Sequence, residues 1–215
     1  MTTIALIGVG KIGMGLARRL TRGGVDVLVA LSTLDKARTA AAELGDHAQA
    51  ADVADALAAA DIAILATPFA TIKELLTTHA DALAGTIVVD PSNNVALRPD
   101  GTLANLNPDG VSAASQLVPL LGPDTRYVKA FGALGADQLA TERAADGEVA
   151  ALLYATDDDT AGDAVAEVIR RGGWDALKVG GVDQAARIEV FGDLHTYGGL
   201  AGNIPSASSV SALIH

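Results

Sequence analysis

Glycines stand at positions 8, 10, 13 and 15, directly after the apolar run Thr3 to Ile7 and directly before a helical pattern that lasts to Arg22. Gly8-Val9-Gly10-Lys11-Ile12-Gly13 is a complete G-x-G-x-x-G fingerprint, and each glycine has a separate steric task there. The first permits the tight turn, the second lets a pyrophosphate approach the backbone, and the third lets helix and strand pack closely. The helix then offers its unpaired N-H groups and the positive end of its dipole to an anion. A second strand, Val25 to Ala30, follows Gly23-Gly24, so the motif sits in a βαβ unit and points to a bound dinucleotide. On the helix, Ile12, Leu16 and Leu20 are expected to face inward, and Lys11, Arg18, Arg19 and Arg22 outward.

Beyond this unit, apolar β-branched runs alternate with alanine-rich helical stretches, which predicts an α/β, Rossmann-type doubly wound parallel sheet with a small C-terminal α/β portion. Helices are predicted over 34–44, 52–60, 70–83, 112–121, 136–140, 160–171 and 183–195. Strands are predicted over 47–50, 62–66, 86–89, 127–131, 148–155 and 174–179. Residues 92–110, dense in Asn, Pro, Asp and Gly, read as a long ordered loop leaving the carboxyl end of a strand, where ligands of open α/β sheets bind. We place a dinucleotide-binding domain at 1–125 and a smaller portion at 126–215 that completes the sheet and a second-substrate site. The Gly-, Ser- and Ala-rich tail 198–215 reads as poorly ordered or as a docking segment for a second copy through Val210, Leu213 and Ile214, which makes a homo-oligomer the expectation.

Composition removes several classes of function. The chain has no cysteine, which excludes disulfides, iron-sulfur clusters and thiol chemistry. Its four histidines, His47, His79, His195 and His215, lack metal-ligand spacing and are read by default as solvated, so no metal is expected. A net charge of −11 with 3% aromatic residues disfavours nucleic acid. No apolar run approaches the ~18 residues of a membrane span, and the first strand begins so early that no signal peptide is expected. A soluble cytoplasmic protein is the resulting expectation.

Further motifs carry a resemblance. Ala66-Thr67-Pro68 follows the fourth strand, Asp90-Pro91-Ser92-Asn93 follows the fifth, Lys129-Ala130-Phe131 ends the sixth, and Gly180-Gly181-Val182-Asp183-Gln184-Ala185 comes late. In this order they resemble the F420-dependent NADP oxidoreductases, most closely the family's short bacterial relatives described as predicted dinucleotide-binding enzymes. The resemblance spans nearly the whole chain. It implies NADP as cofactor, with NAD the alternative, a nicotinamide near the Thr-Pro turn, and coenzyme F420 as the second redox partner.

Two departures bear on this. Deazaflavin-reducing members carry Ser-Arg-Arg after the second strand where this chain has Leu31-Ser32-Thr33, so the 2′-phosphate would fall to Ser32 and Thr33 with help from Lys36 or Arg38. The absence of a carboxylate at that strand end removes the usual ribose partner of NAD and its repulsion of a phosphate. At Gly132, such members have histidine and many relatives asparagine; a glycine is expected to open space beside the nicotinamide or to remove a polar contact.

The candidate cofactor-binding residues are therefore Gly8, Val9, Gly10, Lys11, Ile12, Gly13, Leu31, Ser32, Thr33, Lys36, Ala66, Thr67, Pro68 and Asn93. Lys129, otherwise a strand-edge charge, and His195, which with Asp193 and Tyr197 forms a cluster of proton-transfer groups, are the candidate catalytic residues. Hydride transfer between two carriers needs mainly proximity, whereas a carbonyl or imine acceptor needs a proton donor. The readings are thus a hydride transferase acting on coenzyme F420, an NAD(P)H-dependent reductase of a carbonyl, imine or flavin, or a non-catalytic NADP(H) sensor.

Overall fold

In the computed structural model, which describes residues 2–214, one eight-stranded sheet runs through the molecule. Its strands are β1 (Ile4–Ile7), β2 (Val27–Ala30), β3 (Ala48–Ala51), β4 (Ile62–Leu65), β5 (Ile87–Asp90), β8 (Arg126–Ala130), β9 (Ala151–Ala155) and β10 (Asp175–Gly180). The spatial order is β10-β9-β8-β5-β4-β1-β2-β3. The six strands from β3 to β8 are parallel, β9 is antiparallel to β8, and β10 is parallel to β9. The remaining pair, β6 (Val95–Leu97) and β7 (Leu103–Asn105), forms a separate antiparallel hairpin.

Burial on both faces explains why the central strands read as unbroken apolar runs: every residue of β1, β4 and β5 is buried. Side chains of β1 alternate between two cores, Ile4 and Leu6 in one, Ala5 and Ile7 in the other. The first core takes the apolar faces of α1 (Lys11–Arg22) and α6 (Asp159–Arg171) and Ala40 of α2 (Leu34–Leu44). The second takes α3 (Val53–Ala59), α4 (Phe69–Thr78), α5 (Ala113–Leu117) and α7 (Ala207–Ile214). This is the expected doubly wound α/β arrangement. Helix starts follow local chemistry: Thr33 caps α2 by accepting from Lys36 N, Ser112 caps α5, and Asp158, within the Asp157-Asp158-Asp159 run, caps α6.

Several expectations are corrected. Within residues 92–110 the hairpin β6–β7 replaces a plain loop, because Arg98-Pro99-Asp100-Gly101 closes a turn with Gly101 at φ +83° and lets 95–97 pair back on 103–105. The helix expected over 183–195 is a 3-10 turn at Val182–Ile188 followed by a chain of turns, in which the backbone of residues 192–202 bonds to itself. The tail is not loose. Ala151 N donates to Pro205 O, α7 follows, and Val210 is buried in the second core with Ile214 packed against it, while Leu213 stays half exposed. His215, the last residue of that expectation, lies outside the described residues. Arg19, expected on the solvent face of α1, is buried: its guanidinium stacks 4.5 Å over Trp174 and donates to the carbonyls of Gly172 and Gly173.

Candidate active site

The carboxyl ends of β1, β4 and β5 meet at a cleft of about 360 Å3 lined by Gly10, Lys11, Ile12, Thr67, Pro68, Ser92 and Asn93, among others. The glycine loop is built as its sequence demands. Gly8 has φ +94°, and a Cβ there would stand 2.5 Å from the Ala66 carbonyl oxygen, while one at Gly13 would overlap the Gly8 carbonyl. Gly10, by contrast, faces open space on its Cβ side, and no side chain caps the helix that starts after it. A ligand can therefore approach the amides at the start of α1.

The residues fit a dinucleotide by a second observation. Among the described residues, three buried side-chain polar atoms lack a hydrogen-bond partner, and two of them, Thr67 Oγ1 and Ser92 Oγ, belong to residues lining this cleft. An orphaned buried hydroxyl costs about 1–3 kcal/mol. A nicotinamide ribose or carboxamide held here would satisfy them.

At the end of the neighbouring strand β2, Ser32, Thr33 and Lys36 are drawn together: Lys36 Nζ donates to Ser32 Oγ at 3.3 Å and Lys36 N to Thr33 Oγ1 at 3.4 Å. Two hydroxyls and one ammonium thus gather at the exposed start of α2, groups of the kind that could face an anion. Arg38 points elsewhere, into an ion pair with Asp35 at 3.0 Å. Leu31, half-buried, packs against the first core, as does Val9. Of the candidate cofactor residues, Gly10, Lys11, Ile12, Ala66, Thr67, Pro68 and Asn93 line the cleft directly, and Ser32, Thr33 and Lys36 form this second cluster.

Beneath the cleft lies a buried polar network that the sequence did not disclose. Asp90 Oδ2 accepts from Lys129 Nζ at 2.7 Å and from the Tyr127 hydroxyl at 2.7 Å, while Asp90 Oδ1 accepts from Ser92 N. Lys129 also donates to the Ser92 carbonyl and lies 3.8 Å from Glu189 Oε1. Glu189 accepts from Ala113 N at 2.7 Å and Ala114 N at 3.0 Å at the start of α5. Burial, and then the charge of Asp90, push the Tyr127 hydroxyl well above its ordinary range, so it stays a donor. The signal for Asp90 was a carboxylate ending a wholly apolar strand.

Lys129 is therefore not a strand-edge charge. Its side chain is 1% exposed, and its ammonium holds the turn that carries Ser92 and Asn93. Asn93 is held from both ends: its Nδ2 donates to the Gly132 carbonyl at 3.0 Å, and its Oδ1 accepts from Val190 N at 2.7 Å. His195 is likewise buried rather than solvated. Its Nδ1 accepts from Tyr197 N at 2.8 Å, and burial lowers its pKa to about 4, against a raising hydrogen bond with the Gly132 backbone and with a smaller lowering by the charge of Lys129. The imidazole is neutral at pH 7. His195 thus meets the Gly132 backbone, within range of the Lys129 charge, and neither side chain lines the cleft.

Gly132 does not open space. A Cβ there would stand 2.9 Å from the Pro91 carbonyl oxygen and 3.5 Å from Asn93 Nδ2, so backbone already occupies the room a larger side chain would use. Phe131, buried at the end of β8 with φ +66°, sets this turn at a cost in strain.

Next to the cleft is a groove of about 450 Å3 lined by Leu97, Gly101, Leu103, Phe191 and Tyr197. Leu97, Phe191 and Tyr197 are exposed. The groove borders the cleft on two sides, since Phe191 follows the residue bonded to Asn93 and the Tyr197 hydroxyl lies against Gly135, whose neighbour Ala136 lines the cleft.

Residues 3–94 match the family described as NADP oxidoreductase, coenzyme F420-dependent. No curated protein matches the chain in sequence. Among solved structures, the chain is similar to a hypothetical protein from Sinorhizobium meliloti, with 29% identity, TM-score 0.80, and coverage of 91% of this chain and 93% of that one. It is also similar to a candidate F420-dependent NADP reductase from Arthrobacter sp. FB24, with 25% identity, TM-score 0.70, and coverage of 86% and 87%. An imine reductase from Aspergillus terreus shares the fold, with 20% identity, TM-score 0.62, and coverage of 85% of this chain and 56% of that one.

Proposed function

From the match of residues 3–94 to the family described as NADP oxidoreductase, coenzyme F420-dependent, we propose that the protein transfers hydride between NADP(H) and a flat second redox carrier, with coenzyme F420 the leading candidate. The observation that carries this reading is the character of the cleft and groove together. Among the described residues, Lys11 is the one titratable side chain lining the cleft, and the adjoining groove offers Leu97, Leu103 and Phe191 as apolar contacts. Such a place suits the approach of two carriers that bring their own chemistry; the bound nicotinamide supplies or receives the hydride.

In this reading the chain's residues bind and orient. The amides after Gly10 hold the pyrophosphate, and Ser32, Thr33 and Lys36 hold the 2′-phosphate. Thr67 and Ser92 hydroxyls fix the nicotinamide end, and Asn93 keeps the wall of the cleft in register with Gly132 and Val190. Lys129 serves as a positioning residue through Asp90 and Ser92.

A second reading, reduction of a small carbonyl or imine, is favoured by one observation: Tyr197, a half-exposed residue lining the groove, sets its hydroxyl against Gly135, next to the cleft residue Ala136. One pair of assays separates the two. NADPH added to oxidised coenzyme F420 with the purified protein is expected to bleach the deazaflavin, and Tyr197→Phe is expected to retain that rate within a few-fold. Failure to bleach while NADPH still binds would overturn the deazaflavin assignment. Carbonyl or imine turnover that falls on the order of 10²-fold in Tyr197→Phe would establish the second reading. Binding without turnover of any acceptor would leave a sensor.

A further inference from the structure

Four of the ten arginines of this acidic chain, Arg19, Arg22, Arg143 and Arg171, line one pocket of about 320 Å3, together with a single carboxylate, Glu142. The pocket lies at the C-terminal end of α1, at the opposite end of that helix from the glycine loop. A 12-residue helix separates the two by roughly 18 Å.

Part of this cluster has an internal explanation. Arg19 and Arg171 satisfy carbonyls where α1 and α6 end, Arg19 on Gly172 and Gly173, and Arg171 on Gly24. Arg143 reaches the Gly147 carbonyl at 3.4 Å. These bonds leave an unbalanced charge. Glu142 lies 3.3 Å from Arg19 and is largely exposed, and it is the one carboxylate on the pocket wall. Arg22 makes no hydrogen bond or ion pair among the described residues, and its charge opposes that of Arg19. Arg19 itself is fixed: buried, stacked on Trp174 and bonded to two carbonyls, it presents a guanidinium that loses no further freedom on binding. A surface with net charge −11 has every reason to spread its few cations, and here they converge on a concave site.

We infer that this pocket binds a phosphate-bearing anion, of the size of a pyrophosphate or a phosphate ester, separately from the dinucleotide cleft. Arg19 forms the fixed back wall, and Arg22, Arg143 and Arg171 supply charge-assisted hydrogen bonds from the rim. The ligand neutralises the repulsion between Arg19 and Arg22 and competes with Glu142.

The test is calorimetric titration of inorganic pyrophosphate into the full protein with and without saturating NADP+, against chloride at equal ionic strength. The comparison variant is Arg22→Gln with Arg143→Gln, two exposed positions whose replacement leaves the Arg19 contacts intact. One pyrophosphate site that persists under saturating NADP+ and weakens at least tenfold in the double variant is the expected result. Absence of binding beyond the chloride control, or equal binding in the double variant, would overturn the proposal. If NADP+ itself fails to bind, the cofactor reading fails alone, because the variant comparison still reports on the arginine pocket.

Discussion

His195 shows how far a residue's surroundings can move its chemistry. As a free side chain it would be half-charged near pH 6.5, yet in the fold its pKa is lowered to about 4, chiefly by burial. Between those values the unfolded chain binds more protons than the native one, so stability is fully present above pH 6.5 and falls as pH drops toward 4. The full span is worth at most about 3 kcal/mol. Urea midpoints measured from pH 7.5 to 4 should therefore show a loss over this window that flattens in His195→Gln, after allowance for a lower starting stability. An unchanged pH slope in the variant would show that other groups carry it. The sequence displayed His195 as one of four scattered histidines, because nothing in a linear reading shows that the turns of residues 192–202 close over it.

At the scale of elements, the segments with strong periodicity were legible and those held by tertiary contacts were not. Helix 11–22 and helix 34–44 stand where the pattern of Ile12, Leu16, Leu20 and the Thr33 cap put them. The hairpin at 95–97 and 103–105 was hidden by its own turn residues, which read as loop, and by exposed apolar positions that have no core to report. The stretch after Ile188 breaks into turns because Glu189 is pulled to the α5 amides and Val190 to Asn93, interactions 75 to 97 residues apart in sequence. The hairpin supplies Leu97 and Leu103 to the groove, which the proposed function gives to the second substrate rather than to the cofactor. Replacing both by serine is expected to raise the KM for the acceptor about tenfold, with NADPH affinity unchanged in a fluorescence titration. An equal loss of NADPH affinity would place the hairpin in the cofactor site instead.

For the molecule as a whole, the Rossmann unit was readable because its glycines have steric tasks that only one arrangement satisfies, whereas the buried Asp90–Lys129–Glu189 network was not, since each member belongs to a different element. The sheet continues from β5 to β8 and on to β10, and the C-terminal helix closes the second core. Val210→Asp should accordingly cost about 3 kcal/mol or more of global stability, read as a lowered urea midpoint, by placing an unpaired carboxylate where a methyl pair is 1% exposed. A variant of unchanged stability would mean that the tail is not part of the core. The central claim is that the ends of β1 and β2 are built for NADP(H), and equilibrium titration of NADPH and NADH into the wild-type protein and Lys36→Ala tests it most directly. NADPH should bind the wild type more tightly than NADH, and Lys36→Ala should weaken NADPH about tenfold while leaving NADH unchanged. Equal affinities in the wild type, or a variant that affects both nucleotides alike, would contradict the account.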